Sequence, residues 1–363
     1  MEAVRNLKDK ARLGVEWDAF AEESDDAWFW HTTHYMDYAA MCSGDSFVAN
    51  VSFSIFDNNE VVAICPLIVL RGSSEFNHFS FGGSSALPIP LPFPAIKNGS
   101  TQTVRDRVLA CYVKNLGLIA VEHDVGHVSI RIPCLARSFL GQKLPSANPL
   151  LKHGFMDLAY VSQVIDLRME RAELWSDIRK GHKSDIKKAE QVCGITVWNE
   201  HNITDEVFEN YRRVHFAERG GESRPEESFS QMLGWIENGH AILVEASCEG
   251  TSIGFSLAIL FDNRAYYGSA CRDPEFKHMA SSHLIQWSTI KWLQEHSIEF
   301  YDLGPQRFHN QWFETPNPRG LSVARFKRGF GGNTLPVITA EHFYSKSLLQ
   351  RTFERRLTDF LDN

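Results

Sequence analysis

The sequence predicts an α/β (α+β) protein with two tandem domains of similar architecture, each a mixed, mostly antiparallel sheet flanked by helices. The chain has 363 residues, which exceeds the roughly 100 to 200 residues of a typical single domain. Its hydrophobic fraction of 43% allows each half to bury a core. Both halves also contain the same order of elements: a β-hairpin, a segment rich in small residues, a helix and a strand. This repetition favours a structural duplication.

The first half shows this order from "FVANVSFSIFDNNEVVAICPLIVL" (47–70), where apolar and polar residues alternate around the turn signal "DNNE". The segment "TQTVRDRVLACYVKNL" (101–116) has apolar residues at helical spacing and is predicted as a helix. The segment "HVSIRIP" (127–133) is predicted as a strand.

The second half repeats the order in "HAILVEASCEGTSIGFSLAILFDNRAYYGSA" (240–270), a hairpin pattern with "CEGT" as the turn. The helix is "SSHLIQWSTIKWLQEH" (281–296), and the strand is "IEFYDLG" (298–304). The predicted domains are therefore 1–160 and 161–345, followed by a C-terminal helix over 346–363.

The most basic segment, "ELWSDIRKGHKSDIKKAEQVCGITV" (173–197), lies between the halves and has apolar residues near helical spacing. It predicts a helix with cations on and around it. A second helix is predicted in "TDEVFENYRRVHFAERGG", with Thr204 or Asp205 as its N-cap and Gly220 as its C-cap.

Composition excludes several classes of protein. The net charge of −8 argues against a protein that coats DNA or RNA through its overall field, although local basic patches remain possible. Seven widely spaced cysteines with no CxxC pair predict reduced thiols and no zinc site. The N-terminus lacks a signal-peptide core and no segment is long and apolar enough to span a membrane, so we expect a cytoplasmic protein. GxSxG, P-loop and HExxH motifs are absent.

Three stretches, in this order, resemble the Fem-type (FemAB-like) acyltransferases of the GNAT superfamily, which include peptidoglycan aminoacyltransferases and N-acyltransferases of surface sugars. They are "LWSDIRKGHKSDIKKAEQVCGITV", "YYGSACRDPEF" with "LIQWSTIKWLQEHSIEFYDLG", and "GLSVARFKRGFGG". The resemblance implies two tandem GNAT-like domains, the first degenerate and the second catalytic.

The resemblance implies an enzyme that forms an amide between an activated acyl donor and an amine on a sugar nucleotide, a cell-envelope precursor or a small metabolite. The donor is acyl-CoA or aminoacyl-tRNA, and no metal or further cofactor is implied. The net charge and the lack of a long helical insertion between the halves slightly favour acyl-CoA. The alternative is a non-catalytic binding or assembly protein on the same scaffold.

The resemblance gives Lys327 a role in stabilising the oxyanion or the donor, with Phe326 paired to it in substrate binding. The alternative is a solvated lysine on a strand whose phenylalanine is in the core. If the segment is a strand, Arg325 lies on the same face as Lys327 and is also a substrate-binding candidate. Asp302, in "YDLG", is expected where adjacent strands separate, and it either positions or deprotonates the amine or caps the following turn.

Arg219 corresponds to an arginine that the family uses near a phosphate or the donor, and the alternative is a helix C-terminal cation. His215 lies four residues earlier on the same helix and is a candidate proton acceptor, although a lone histidine is more often structural. Tyr267, in "YYGSA", is assigned to substrate binding.

The donor phosphates of GNAT proteins are held by a turn of the form [QR]-x-x-G-x-[GA] that opens a helix. The nearest segment here is "KHMASS", which gives Lys277, Ala280, Ser281 and Ser282 as donor-binding candidates. Alanine and serine replace both glycines, which weakens the case for acetyl-CoA held in the usual way.

Overall fold

The structure is a computed structural model that describes residues 1–5, 10–72, 75–84, 87–140, 148–221, 224–308, 311 and 317–362. The chain divides into two compact units. Unit 1 comprises Met1–Val161, Arg307–Asn317 and Pro336–Asn363, and unit 2 comprises Ser162–Gln306 and Pro318–Leu335. The sequence-based boundary at residue 345 differs from this division. The chain returns to unit 1 at Pro336 because the strand that follows pairs with strands of that unit.

The helices, in chain order, are α1 (Lys10–Glu23), α2 (Thr33–Ser43), α3 (Gln102–Glu122), α4 (Arg137–Leu140), α5 (Arg171–Asp177), α6 (Lys180–Ala189), α7 (Asp205–Arg219), α8 (Glu226–Glu237), α9 (Ser281–Glu295), α10 (Pro318–Arg328) and α11 (Lys346–Leu361). The strands are β1 (Glu2–Arg5), β2 (Phe47–Asn50), β3 (Phe53–Asp57), β4 (Glu60–Cys65), β5 (Ile68–Leu70), β6 (Asn77–Phe79), β7 (Gly83–Ser84), β8 (Leu87–Pro88), β9 (Leu91–Pro92), β10 (Ala95–Ile96), β11 (Val125–Arg131), β12 (Met156–Asp157), β13 (Tyr160–Asp166), β14 (Gly194–Trp198), β15 (Ala241–Cys248), β16 (Thr251–Phe261), β17 (Arg264–Arg272), β18 (Phe300–Pro305), β19 (Asn333–Val337) and β20 (Thr339–Phe343). This mixture of helices and mixed sheets confirms the predicted fold class.

Unit 1 contains a four-stranded sheet in the order β1-β3-β4-β10 and a larger sheet in the order β12-β20-β11-β6-β5-β2, with β9 also paired to β11. The predicted hairpin around "DNNE" is confirmed as β3 and β4. Asn58 and Asn59 form its turn with positive φ, a conformation that asparagine tolerates well. Strands β6 and β11 are parallel, and α3 lies between them in sequence.

Unit 2 contains one seven-stranded sheet in the order β14-β15-β16-β17-β18-β13-β19. Strands β14 to β17 are antiparallel neighbours, whereas β17 and β18 are parallel and joined through α9. The predicted hairpin is confirmed as β15 and β16. Leu284, Ile285 and Leu293 of α9 are buried in one core cluster with residues of the sheet. Each unit thus contains a parallel strand pair with a helix in the connection.

Helix α7 has the predicted caps. The Thr204 side chain accepts a hydrogen bond from Val207 N–H, and Gly220 ends the helix in the left-handed conformation. The single helix predicted over the basic segment is wrong, because Ile178 adopts an extended conformation and separates α5 from α6. Ile178 is buried, and the next N–H, of Arg179, donates to Gly329 O at 2.9 Å. Long-range contacts therefore interrupt a locally helical pattern.

The octet "RFKRGFGG" (325–332) lies at the end of helix α10 and just beyond it, so the strand interpretation is wrong. Helix α10 begins at Pro318, a position where the fixed φ of proline suits the first helical residue. Arg325 and Lys327 therefore lie about 200° apart around a helix and do not share a face.

The glycines of this octet allow close backbone packing inside unit 2. A Cβ atom at Gly329 would clash with His182 Nε2, one at Gly331 would lie 2.7 Å from Asp177 Cβ, and one at Gly332 would lie 2.5 Å from Val164 O. These atoms belong to α6, α5 and β13. The glycines therefore serve contacts with neighbouring elements of the protein itself.

A buried ion pair fixes the C-terminal helix to the larger sheet of unit 1. Both terminal nitrogens of Arg356 on α11 donate to the carboxylate of Glu341 on β20, at 2.6 and 2.9 Å. His127 Nε2 lies 3.1 Å from the same carboxylate. Burial raises the pKa of Glu341, but the hydrogen bonds with Arg356 and His127 outweigh burial and lower this pKa overall.

Candidate active site

The candidate site of unit 2 is the point where two parallel strands separate. Strands β17 and β18 pair from Arg264 and Phe300 as far as Tyr266 and Asp302. Beyond that point β17 continues to pair with β16, and β18 with β13. The edge of β17 that faces β18 is therefore open after Tyr266, as the sequence predicted for the neighbourhood of Asp302.

A β-bulge in β17 accompanies this separation. The pairing of β16 with β17 shifts between Leu257–Ser269 and Ala258–Tyr267, which leaves Gly268 as the extra residue. Bulges bend a strand and increase its twist, and they are common beside active sites. An isolated glycine in a strand pattern is a recognised bulge signal, so Gly268 marks this bulge in the sequence as well, although it was not among the predicted site residues.

Lys327 extends from α10 to the start of this separation. Its ammonium lies 5.5 Å from the ring centroid of Tyr267, within the range of a cation–π contact. The same ammonium lies 2.8 Å from the position that a Cβ atom on Gly304 would occupy. The lysine is thus half-buried between β17 and β18. The sequence singled out Lys327 as a site candidate, which stays a prediction, but it placed the residue on a strand and not on a helix.

Asp302 is buried and fixes the end of β18. Its Oδ1 atom accepts hydrogen bonds from Ser162 Oγ at 2.5 Å and from Gly304 N–H at 2.7 Å. The second bond is the turn-capping interaction that the sequence left open as the alternative for Asp302. This carboxylate therefore holds the backbone at the bottom of the cleft.

Both backbone polar groups of Gly304 are engaged within unit 2. Its N–H donates to Asp302, and its carbonyl accepts from Gln306 Nε2 at 3.2 Å. Arg328 in turn donates to Gln306 Oε1 at 2.9 Å. Because this N–H already donates to Asp302, it is not positioned to stabilise charge on a substrate.

Two tyrosines contribute to the β17 side of the cleft. Tyr211 of α7 donates from its hydroxyl to Ser269 Oγ at 2.8 Å, which ties α7 to β17. Burial raises the pKa of Tyr267 above its usual value, and the carboxylate of Glu218 adds to the effect. The Tyr267 hydroxyl therefore stays protonated at neutral pH.

His215 lies in a closed aromatic cluster and does not reach the cleft. It is fully buried, and its ring makes edge contacts with Tyr211, Phe216 and Phe229. Burial, helped by Arg224 and Arg219, lowers its pKa to about 4. Because a proton acceptor must be within hydrogen-bond reach of its substrate, the structure favours the structural alternative over the catalytic assignment.

We expect His215→Phe to retain activity, because the side chain packs among aromatic rings and its Nδ1 atom has no hydrogen-bond partner among the described residues. A general base contributes about 10²- to 10⁴-fold, so a change in kcat below about twofold excludes that role. The pH–rate profile between pH 5 and 8 should also match that of the wild type. A lost pH-dependent limb would contradict this assignment.

Phe326 and Arg325 point away from Lys327. Phe326 packs against His182, His283 and Phe330, with ring centroids 5.6, 5.0 and 5.1 Å away, so the core alternative for Phe326 agrees with the structure better than substrate binding. Arg325 is exposed. The strand assumption had grouped Arg325 with Lys327, and the helix separates them.

Arg219 is exposed in the last turn of α7, directly before the left-handed cap Gly220. This position agrees with a cation at a helix C-terminus. The preceding residue, Glu218, was not considered from the sequence. Its carboxylate accepts from Arg272 N–H at 3.2 Å and lies 3.6 Å from Arg319 of α10. Glu218 therefore connects α7 with the end of β17 and the start of α10.

The predicted donor turn lies at the start of α9. Lys277 is exposed in the 3-10 turn Pro274–Met279. Ala280 adopts a left-handed conformation, with φ of 54°, and precedes Ser281, the first residue of the helix. The first N–H groups of a helix have no intrahelical partner, which suits them to anions. Ser281 is buried against Gly254, whereas Ser282 is partly exposed.

The basic segment adjoins this turn. The rings of His182 on α6 and His283 on α9 are 4.5 Å apart, which brings the start of α6 beside the start of α9. Burial lowers the pKa of both histidines, so they are neutral near pH 7. The exposed cations of α6 and its N-cap are Arg179, Lys180, Lys187 and Lys188.

Comparison with known proteins shows which protein family part of the chain matches. A protein-family model described as "Acetyltransferase (GNAT) domain" matches residues 176–318, which contain the separating strands and α9. The solved structure of FemX is similar over 97% of this chain and 99% of its own, at 12% identity and a TM-score of 0.65. Residues 176–318 therefore match a GNAT acetyltransferase domain. The fold of the chain is similar to that of FemX.

Two further solved structures share the fold of this acyltransferase. L-PGS from Bacillus licheniformis covers 95% of both chains at 11% identity and a TM-score of 0.56. The C-terminal domain of a protein described as a lysylphosphatidylglycerol synthetase, from Agrobacterium fabrum, covers 95% of both chains at 9% identity and a TM-score of 0.57. A search of the curated proteins found no match.

Two findings on the described part of the acyltransferase bear on possible ligands. No cluster of three or more His, Cys, Asp or Glu side chains there is arranged to hold a metal ion. None of the helices in those residue ranges is both long enough and apolar enough to span a bilayer. The seven cysteines are all free thiols.

Proposed function

We propose that this acyltransferase moves an aminoacyl group from aminoacyl-tRNA to an amine of a cell-envelope precursor and forms an amide. The observation that carries the proposal is the half-buried ammonium of Lys327 at the separation of β17 and β18. Preorganised cations at the position where charge develops are a major source of catalysis in acyl transfer. The Gly304 N–H already donates to Asp302 and is therefore not available for this role.

The reaction has one tetrahedral intermediate. The acceptor amine attacks the ester carbonyl carbon, the new C–N bond forms, and the carbonyl oxygen becomes an oxyanion beside Lys327. The C–O ester bond then breaks, and the ribose hydroxyl of the tRNA leaves with the proton that the amine gives up. Asp302 acts by holding Gly304 and the end of β18 in place, since its Oδ1 atom already accepts two hydrogen bonds.

Two observations favour tRNA as the carrier of the acyl group. The fold is shared with FemX, with L-PGS and with a domain of a protein described as a lysylphosphatidylglycerol synthetase. The Fem-type family that the sequence resembles also includes aminoacyltransferases. The start of α6, with the exposed cations Arg179 and Lys180, also lies beside the start of α9, where phosphates of a donor would bind. Because the chain has a net charge of −8, contacts with RNA need such a local patch.

Acyl-CoA is the second candidate donor, and the sequence slightly favoured it. The open edge of β17 after Tyr266 offers backbone groups to an extended chain such as a pantetheine arm. The start of α9 would then bind the pyrophosphate through its first backbone N–H groups and the partly exposed Ser282. An acyl-CoA enzyme of this kind would acylate an amine on a sugar nucleotide or a small metabolite.

The experiment compares both donors with one readout. Purified protein is incubated with bulk tRNA charged with ¹⁴C-labelled amino acids, or with ¹⁴C-labelled acyl-CoAs, and with UDP-N-acetylmuramoyl-pentapeptide or an amino-sugar nucleotide as acceptor. With charged tRNA, we expect the label to appear in the pentapeptide precursor and the mass of this precursor to increase by one amino-acid residue. Treatment of the tRNA with RNase should abolish the label and the mass increase.

The outcomes separate the alternatives. Label from acyl-CoA alone overturns the tRNA assignment and keeps the acyltransferase. Label from neither donor, with every acceptor, favours the non-catalytic binding protein. Lys187→Ala serves as a matched variant. Removal of this exposed lysine of α6 should raise KM for charged tRNA and leave KM for acyl-CoA unchanged.

A further inference from the structure

Gly304 has an unusual relation to Lys327. Its φ is +93°, and a Cβ atom added there would lie 2.8 Å from Lys327 Nζ and 3.4 Å from Tyr266 Oη. The missing side chain thus leaves a small niche at the separation of β17 and β18. The ammonium of Lys327 occupies one side of it.

We propose that Gly304 is a positioning residue, whose lack of a side chain seats the Lys327 ammonium where the oxyanion forms; this inference rests on the role of Lys327 in the proposed function. The backbone groups of Gly304 do not face the substrate, since Asp302 and Gln306 bind them. Its contribution is therefore the space that it leaves.

An added methyl group would move the lysine rather than the strand. The backbone at residue 304 is held by Asp302 and by pairing of β18 with β13, whereas a lysine side chain has four flexible torsions. Carbon–nitrogen contacts need about 3.5 to 4 Å, so the ammonium would shift by about 1 Å. A misplacement of about 1 Å can reduce the rate about 10²-fold.

Backbone strain must be separated from this effect, because positive φ by itself favours glycine. Gly250 offers a matched control in the same unit. Its φ is +80°, and a Cβ atom there would meet nothing within 4 Å. Gly250→Ala should therefore carry similar strain with no effect on Lys327.

The first arm of the test needs no substrate. Crystal structures of the wild type, Gly304→Ala and Gly250→Ala are compared, with thermal unfolding as a check on folding. We expect the Lys327 ammonium to move by about 1 Å in Gly304→Ala alone, given the contact distances involved. An unmoved ammonium in a folded Gly304→Ala protein overturns the inference, whatever the substrates of the enzyme.

The second arm measures kcat with the donor that the wild type uses, in Gly304→Ala, Lys327→Ala and the double variant. When Lys327 is present, we expect Gly304→Ala to lower kcat about 10²-fold relative to the wild type. In the Lys327→Ala background, the same substitution should have little further effect on kcat. Ethylammonium should partly restore kcat of Lys327→Ala by entering the niche, and less so in the double variant.

The results distinguish two failures. If Gly304→Ala lowers the residual kcat of Lys327→Ala by the same factor as in the wild type, Gly304 does not act through Lys327 and the inference fails. If Lys327→Ala itself leaves kcat unchanged, the proposed role of Lys327 in the reaction fails, while the crystal structures still decide whether Gly304 seats the ammonium.

Discussion

Replacing Lys327 with methionine should lower kcat by about 10²- to 10³-fold, the usual loss when one donor to an oxyanion is removed. Methionine keeps most of the side-chain length and its contact with Tyr267, so the change removes mainly the charge. The effect should appear in kcat more than in KM, because the oxyanion exists only in the transition state and the intermediate. The measurement is steady-state kinetics with the donor that supports turnover.

Two variants on α10 control for other effects. Lys327→Arg keeps the charge but changes its shape and position, and we expect intermediate activity. Ser322→Ala, at an exposed position on the same helix, should leave kcat and thermal unfolding unchanged. A folded Lys327→Met enzyme within about threefold of wild-type kcat would remove the oxyanion role, because that loss is far below the range expected for such a donor.

The sequence predicted helix boundaries correctly where the residues that cap the helix are close to it in the chain. The caps of α7 are an example, because Thr204 and Gly220 act on the helix that they flank. Helix α10 was missed because a period of two places Phe326 and Phe330 of "RFKRGF" on one face, as in a strand. The start signal was Pro318, seven residues before the octet, and it was not used.

The sequence singled out two candidate residues that the structure brings close together, and it missed contacts that depend on packing between distant segments. Lys327 and Asp302 lie on either side of Gly304, as expected for residues of one cleft. The closed cluster around His215 depends on Phe229 of the next helix, and the core position of Phe326 depends on His182 and His283. No local pattern in the sequence shows such contacts between distant segments.

Arg356→Met should destabilise unit 1 by about 3 to 5 kcal/mol, because it leaves Glu341 charged and buried without its main partner. Chemical unfolding at pH 7 measures this loss. The double variant Glu341→Gln/Arg356→Met should recover much of it, since neither residue is then charged. The exposed pair of Arg171 and Glu295 is the control, with side chains 44% and 53% exposed. Arg171→Met should cost less than about 1 kcal/mol.

The pH dependence of this loss identifies the carboxylate as its cause. In the wild type the pKa of Glu341 is lowered from its ordinary 4.5, so its contribution to stability is present above that value and is lost as pH falls through the lowered folded pKa. Without Arg356, burial dominates and raises the pKa of Glu341, which lets the carboxyl group bind a proton and become neutral at a higher pH. The difference in unfolding free energy between wild type and Arg356→Met should therefore be largest at pH 7 and shrink towards pH 4. A difference that stays constant over this range would mean that Arg356 stabilises α11 through packing and not through its charge.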